Sequence, residues 1–157
     1  MPANIKDAVL NLMEESGALP VNDKQYNVLR IEADLPRAGY ELTGEYTPLE
    51  VGLKNMVSET KGCYTGQEVI ARQINYDKVT QSLTGLNLQE SIQIDERIWF
   101  DKKSVGVITS VGYSDRHGDI ALAILKRPHN QPGSELFVGQ SRANAVKAQV
   151  VELPFTY

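Results

Sequence analysis

The feature that most constrains the fold of this chain is a series of short strand-like segments in its second half. Apolar residues there occur in short runs or alternate with polar residues, and turn-forming residues separate the runs. The segments are Leu83 to Leu88, Ile92 to Ile94, Ile98 to Phe100, Val105 to Val111, Ile120 to Leu125, Glu135 to Val138 and Ala145 to Val151. Several short strands at this spacing predict a small antiparallel β-barrel or sandwich.

The opening segment of the chain has helical spacing instead. Its apolar residues lie three and four positions apart, at Ile5, Val9, Leu12 and Met13. Asn4 is placed as an N-cap, and Gly17 follows the pattern where a helix C-terminus favours glycine. The pattern therefore predicts an amphipathic helix between these two residues.

A second helix is predicted to begin near Asp23 and to end before Pro36 and Gly39. Along one side it carries the apolar residues Tyr26, Leu29 and Ala33. Arg30 and Glu32 are predicted to project from the same helix.

Two Thr-x-x-Glu capping boxes predict two further helix starts. Thr47-Pro48-Leu49-Glu50 adds a proline at the first helical position and predicts a short helix through about Met56. Thr65-Gly66-Gln67-Glu68 is followed by apolar residues at helical spacing. In this second box Glu68 is expected to act mainly in capping.

These patterns together predict an α+β protein with a boundary near Asp77 to Gln81. Residues 1–78 are expected to form a mixed helical and antiparallel-sheet part, and residues 79–157 an antiparallel β-barrel domain. The two parts are expected to pack closely, because no Pro/Ser-rich linker separates them.

Composition places the chain among soluble globular proteins, with 41% hydrophobic and 23% charged residues in 157. No apolar run approaches the roughly 20 residues that cross a bilayer, and the first residues do not resemble a signal peptide. A cytoplasmic location is therefore predicted. The net charge of −4 argues against direct binding to a nucleic-acid backbone and favours small molecules or protein surfaces as partners.

Cys63 is the only cysteine, so an internal disulfide is excluded and a reducing compartment is indicated. Its position before a predicted helix N-terminus, with Lys61 nearby, favours a reactive thiolate. A buried cysteine that fills space beside Tyr64 is the alternative. Gly62 and Gly66 allow the backbone on either side of the cysteine to turn sharply and to approach a ligand.

No metal site is predicted, because His117 and His129 lie far from Cys63 along the chain. A single cysteine could at most contribute one ligand to a shared or transient cluster. The segment Asp115-Arg116-His117-Gly118-Asp119 is interpreted as a polar turn between two strands, with no chemical role.

The segment from Lys61 to Arg72, KGCYTGQEVIAR, closely resembles the signature of the YgfZ-type folate-binding proteins. These are relatives of the glycine-cleavage T-protein, an aminomethyltransferase. The resemblance extends to Leu29-Arg30-Ile31-Glu32-Ala33, then to Pro36, Gly39, Glu41 and Thr47-Pro48-Leu49-Glu50, and downstream to the strands around residues 106–110 and 120–123. It covers nearly the whole chain but only the C-terminal half of the family's sequence.

The resemblance implies a protein that binds tetrahydrofolate or a derivative and supports the assembly or repair of iron–sulfur enzymes, including those that thiolate transfer RNA. In the family, the cysteine at position 63 is functionally important, and the T-protein relatives hold the pterin ring with the glutamate at position 32. Cys63 is therefore the candidate catalytic residue. The candidate cofactor-binding residues are Glu32, Arg30, Lys61, Gly62, Tyr64, Gly66, Gln67 and Arg72.

Two alternatives stay open: a folate-dependent aminomethyltransferase-like transferase, which would be a true enzyme, and a non-catalytic interaction module. Cys63 and Gln67 differ from the residues usual in aminomethyltransferases and favour the accessory role. Asp34 replaces the glycine that usually follows Arg-x-Glu-Ala. The missing N-terminal half predicts an exposed apolar surface, and with it self-association or pairing with that half. Iron–sulfur client or assembly proteins are further expected partners.

Overall fold

The computed structural model describes residues 5–155, and within them six strands form a closed antiparallel barrel. The strands are β1 (Gln81–Leu88), β2 (Arg97–Phe100), β3 (Lys103–Ser114), β4 (Gly118–Lys126), β5 (Glu135–Val138) and β6 (Val146–Val151). The helices are α1 (Lys6–Glu15), α2 (Asp23–Glu32) and α3 (Gln67–Asn75), with 3₁₀ turns at Leu53–Met56 and Arg142–Asn144. Within residues 5–155, no helix is long and apolar enough to cross a membrane.

The barrel follows the strand order β1-β4-β3-β2-β5-β6, and β1 closes it by pairing with both β4 and β6. Alternate residues point inward and form a core of aliphatic side chains. Its members include Leu86, Ile98, Ile108, Leu125, Leu136, Val138 and Val150. The prediction of an antiparallel barrel is confirmed.

One predicted strand is absent. Ile92 and Ile94 lie in the loop between β1 and β2. Ile92 is buried in the barrel core, whereas Ile94 is 44% exposed. A loop residue that fills the end of a core can therefore produce the same apolar pattern as a short strand.

Gly106 is placed where β3 and β4 lie closest. A Cβ atom at this position would clash with the backbone carbonyl oxygen of Ile124 and would lie 2.7 Å from the Leu125 side chain. Because the obstacle is backbone, Gly106→Ala is expected to destabilise the barrel by about 1–3 kcal/mol in urea unfolding. Gly44→Ala is the control, since no atom lies within 4 Å of the added Cβ. Equal stability of the two variants would contradict this packing.

The part before the barrel contains helices and turns rather than the predicted mixture of helix and sheet. Between residues 5 and 80, the only β pairing is an isolated bridge between Ala38 and Leu42. This part is too short and too open to form a clearly separate mixed domain. The domain boundary near residue 78 stays a prediction.

The amphipathic helix predicted at the start is present as α1, and Gly17 follows it with a positive φ of 86°. Ile5 occupies the N-cap position, while the predicted cap Asn4 lies outside the described residues. No side chain of α1 is buried. Its apolar face is therefore exposed to solvent in this chain.

Helix α2 begins at Asp23 as predicted, behind a capping box in which Asn22 and Gln25 exchange hydrogen bonds of 2.9 Å. The buried side of α2 is not the side that carries the apolar residues Tyr26, Leu29 and Ala33. Tyr26 and Leu29 are 55% and 49% exposed, whereas Arg30, Ile31 and Glu32 are buried. This follows from packing on the outside of the barrel, where Ile31 joins a cluster with Ile120, Leu122 and Phe155.

The helix predicted at the second Thr-x-x-Glu box is present as α3, but neither box caps an α-helix in the predicted way. Thr47 and Glu50 do contact each other, but their hydrogen bonds both end on the Glu50 carboxylate and a 3₁₀ turn follows. Helix α3 has Gly66 as its N-cap with a φ of 87° and has no side-chain cap. The capping role predicted for Glu68 was therefore wrong, because the left-handed glycine leaves Thr65 outside the cap.

Candidate functional site

The centre of the candidate site is a buried ion pair between α2 and the segment that follows it. Arg30 Nη1 lies 2.9 Å from Glu41 Oε2, and both side chains are almost completely buried. Ser110 of β3 accepts a short hydrogen bond from Arg30 Nη2 and donates one of 2.6 Å to Glu41 Oε1. The three side chains form a closed ring of hydrogen bonds that connects α2, residues 35–42 and the barrel.

Arg30 uses all five of its N–H groups within the protein. Nε and Nη2 donate to Asn27 Oδ1, and the remaining donors reach Glu41, Ser110 and the carbonyl of Leu35. The Asn27 side-chain amide in turn donates a hydrogen bond of 2.9 Å to the carbonyl of Val111 on β3. In this structure Arg30 therefore connects α2 to β3 and fixes the side chain of Asn27.

Glu41 stays ionised despite its burial. Burial alone would raise the pKa of its carboxyl, but hydrogen bonds from Ser110, the Arg37 backbone N–H and Thr109, together with the charge of Arg30, outweigh that effect. The net result is a pKa of Glu41 below its ordinary value. The Glu41 carboxylate is therefore ionised at neutral pH.

Beside this pair lies an open groove of about 870 Å³ between α2 and the far end of β3. Glu32 lines it from α2, while Val111 and Tyr113 line it from β3. Glu32 is only 6% exposed, yet no hydrogen bond or ion pair engages its carboxylate within residues 5–155. Its backbone carbonyl accepts a bond of 2.9 Å from the Phe155 N–H. A nearly buried, unengaged acid on a groove wall suits a ligand that offers N–H donors.

The polar turn after β3 reaches the same groove. Ser114 is fully buried, and its hydroxyl accepts hydrogen bonds of 3.1 Å from the backbone N–H groups of Arg116 and His117. Asp115 and Arg116 line the groove opposite α2. The sequence indicated a turn here but no chemical role, because only the fold brings residues 115–116 close to Glu32.

Asp34 lies just behind Glu32 in a strained and polar setting. Its φ of 56° is the left-handed conformation that glycine favours, so the replacement of glycine leaves the loop geometry in place. Burial and the nearby charge of Glu41 raise the pKa of Asp34 to about 6. Its Oδ1 atom is buried without a hydrogen-bond partner among residues 5–155.

The segment from Lys61 to Arg72 forms a second, separate region. Cys63 is exposed, so the alternative of a buried, space-filling cysteine was wrong. Lys61 stacks on Tyr64, with its Nζ atom 4.5 Å from the ring centroid, and Ser58 accepts the backbone N–H of Lys61 at 3.1 Å. The thiol is thus accessible at the surface, ahead of α3.

The predicted cofactor-binding residues therefore fall into two groups. Glu32 faces the large groove and Arg30 lies directly behind it. Tyr64 and Gln67 line a small cavity of about 160 Å³ beside α3, and Arg72 lines another shallow depression on that helix. None of the residues from 61 to 72 lines the groove of Glu32. Among residues 5–155, no cluster of three or more His, Cys, Asp or Glu residues is arranged to hold a metal ion.

Comparison with known proteins gives matches for the barrel and for the part of the chain before it. Residues 81–156 match the family model described as the glycine cleavage T-protein C-terminal barrel domain. A chloroplast protein of Arabidopsis thaliana named as a transferase is 36% identical over 140 residues, which is 88% of this chain and 32% of that protein. An aminomethyltransferase of Symbiobacterium thermophilum is 32% identical over 157 residues, or 98% of this chain and 41% of that protein.

The fold has a solved counterpart. The crystal structure of glycine cleavage system aminomethyltransferase T from Bartonella henselae superimposes with a TM-score of 0.85 at 22% identity, covering 99% of this chain and 45% of that one. This chain spans less than half the length of these relatives. The matches in sequence lead to one conclusion: the chain is related to the glycine cleavage T-protein family, and its residues 81–156 match the model of that family's C-terminal barrel domain.

Proposed function

We propose that this chain binds tetrahydrofolate or a derivative and that Glu32 holds the pterin ring. The observation that carries the proposal is the Glu32 carboxylate, nearly buried on a groove wall and without a hydrogen-bond or ion-pair partner among residues 5–155. A pterin edge presents adjacent N–H donors that a carboxylate can accept together. The groove of about 870 Å³ is in the range of small-molecule sites. The folate would supply the one-carbon carrier chemistry known for such cofactors.

Arg30 is assigned a positioning role in this proposal. It has no N–H group left for a ligand, but it fixes Asn27 on the groove wall and holds α2 against β3. The turn residues 115–116 would close the groove on its other side.

Glu32→Gln is the direct test, because it keeps the shape of the side chain and removes the charge. We expect tetrahydrofolate affinity, measured by calorimetry on the purified chain, to fall roughly 10- to 100-fold, as for loss of a hydrogen bond to a charged group. Thermal stability should not fall, since the carboxylate has no partner to lose in the part of the chain that the structure describes.

Glu68→Gln on the exposed face of α3 is the matched control and should bind folate like the unmodified chain. Equal affinity of the Glu32 and Glu68 variants would remove Glu32 from the site. Absence of any folate binding by the unmodified chain would instead favour the interaction module.

We further propose that the biological role is the support of iron–sulfur enzymes, including those that thiolate transfer RNA, with Cys63 as the reactive group. The exposure of Cys63 supports this, because a thiolate must be accessible to react. A reducing, cytoplasmic setting would keep this exposed thiol free.

Complementation tests the role of Cys63. The test uses a strain from which the full-length relative has been deleted. A copy of that relative that carries this segment should rescue the strain, whereas the same copy with Cys63→Ser should not. A thiol-alkylating probe should label the native chain stoichiometrically and leave Cys63→Ser unlabelled, since Cys63 is the only cysteine. Equal rescue by both versions would exclude the thiol from the mechanism.

The second candidate function is one-carbon transfer of the aminomethyltransferase type. The names of several relatives favour it, since those proteins are aminomethyltransferases. Transfer activity that survives Cys63→Ser but not Glu32→Gln, measured in the full-length relative, would favour this candidate over iron–sulfur support.

The proposed partners follow from the exposed apolar surface. Leu12 and Met13 of α1 are 62% and 51% exposed, and Leu19 after the helix is 87% exposed. This surface supports the proposal that the chain self-associates or pairs with the family's N-terminal half. Sedimentation of the isolated chain should show concentration-dependent association, and a monomer at all concentrations would exclude self-association.

A further inference from the structure

A second concave site lies at the opposite end of the barrel from Glu32. It is an open cavity of about 810 Å³ at the mouth of the barrel, where β2 turns into β3. Val105, which belongs to the barrel core, forms part of its wall. Val111, at the Glu32 groove, follows Val105 by six positions on β3, which is about 20 Å along an extended strand. The two sites are therefore distinct.

The cavity is positively charged although the chain as a whole has a net charge of −4. Three cationic side chains line it, Lys102, Lys103 and Arg142, and they face one acidic side chain, Asp101. Arg142 is held in place by stacking, with its Cζ atom 3.5 Å from the centroid of the Phe137 ring. Fixed cations in a concave wall suit a compact anion such as a phosphate group.

The same cavity presents an exposed aromatic surface. Phe100 is 44% exposed at the end of β2 and lines the cavity together with His129. The two rings lie 4.6 Å apart between centroids at an angle of 36°. The exposed Phe100 ring, backed by the half-buried His129 ring and lying beside cationic side chains, offers a stacking surface for a planar ring.

We propose that this barrel-mouth cavity binds a nucleoside phosphate, with Arg142 and the two lysines on the phosphate and the Phe100–His129 pair under the base. A ligand with a phosphate group alone would use only the cations, and an apolar ligand would use only the two aromatic rings. The ligand class that uses both carries a phosphate and a planar ring in one molecule. A volume of about 810 Å³ suits a ligand of that size.

Trp99 provides the measurement, because it is the only tryptophan and is adjacent to Phe100. Its Nε1 atom donates a hydrogen bond of 2.8 Å to the carbonyl of Gly139, three residues before Arg142 in the chain. Titration of the full chain with ADP should change the Trp99 fluorescence in a saturable way. Inorganic phosphate can contact only the cations, and adenosine lacks the phosphate. Each should therefore bind at least about tenfold more weakly than ADP.

Two variants assign the site. Arg142→Gln should weaken ADP binding about tenfold or more, and Phe100→Leu about threefold to tenfold. Both side chains are exposed, so neither change should lower thermal stability. Lys147→Gln is the matched control, since Lys147 is 51% exposed on β6 and does not line the cavity.

Several results would contradict the proposal. The proposal is overturned if ADP does not bind, if binding is unchanged in both variants, or if phosphate alone binds as tightly as ADP. Tighter binding of a glutamate-rich peptide than of ADP would instead identify an acidic protein segment as the occupant. Glu32→Gln should leave ADP binding unchanged, which separates this result from the folate proposal.

Discussion

Arg30→Met is expected to lower the free energy of unfolding by about 3–5 kcal/mol, the usual cost of removing one partner from a buried ion pair. The methionine fills most of the space of the arginine stem, but Glu41 then remains ionised and fully buried without its cation. Ser110 and Asn27 also lose the hydrogen bonds that they accept from Arg30 in the native protein. Urea unfolding monitored by circular dichroism measures the difference.

Arg37→Met is the matched control for this variant. The Arg37 side chain is exposed and contacts the Tyr40 ring at 5.1 Å, so its replacement should change stability by no more than about 0.5 kcal/mol. Only the backbone N–H of Arg37 binds Glu41, and the substitution retains it.

A double variant separates the pair from its surroundings. Arg30→Met combined with Glu41→Gln should lose less stability than the sum of the two single changes, because no uncompensated charge remains buried. A cost for Arg30→Met no greater than that for Arg37→Met would show that the ion pair does not hold α2 against the barrel.

Asp34→Asn is expected to stabilise the protein at neutral pH by about 1 kcal/mol, because burial and the charge of Glu41 raise the pKa of this carboxyl from 3.8 to about 6 and solvent screening of the half-buried group reduces the full equivalent of that shift. A raised carboxyl pKa means that the folded state binds the proton more tightly than the unfolded state. The stability of the native protein therefore falls as the pH rises from about 4 to about 6 and stays lower above that.

The asparagine variant should lack this pH dependence. Asn also tolerates the left-handed φ of 56°, so the backbone need not change. Unfolding by urea between about pH 4 and pH 8 gives the two curves, which should meet at the acidic end. Asp95→Asn is the control, because Asp95 has the same backbone conformation but is exposed. Parallel curves for the native protein and the Asp34 variant would contradict the raised pKa.

The barrel could be predicted from sequence because strand alternation is a local pattern. The buried side of α2 could not, because it depends on partners distant in the chain. Arg30 is a core residue only in the presence of Glu41 and of Ser110, which lies 80 positions away. Helical spacing identifies the apolar residues Tyr26 and Leu29 along one side of the helix, and it gives no sign that a charged side chain of the same helix is buried.

The candidate site could be predicted only in part, again because it depends on residues that are distant in the chain. Glu32 was selected by resemblance, and its unengaged carboxylate on a groove wall is compatible with that selection. The residues opposite it, Asp115 and Arg116, are brought there by the β3–β4 turn, which the sequence presented as an ordinary connection. Glu68 failed as a cap because a left-handed glycine, rather than the threonine before it, starts α3.

The closure of the barrel also restricts how another protein can recognise this domain. Each of the six strands already has a hydrogen-bonded neighbour on both sides, since β1 joins β4 to β6. A domain of this kind has no free strand edge to which an extended peptide could add by backbone pairing. A protein that binds this domain would therefore contact side chains, on the helices or on the loops at the two barrel mouths, and sequence changes there could alter binding without disturbing the sheet.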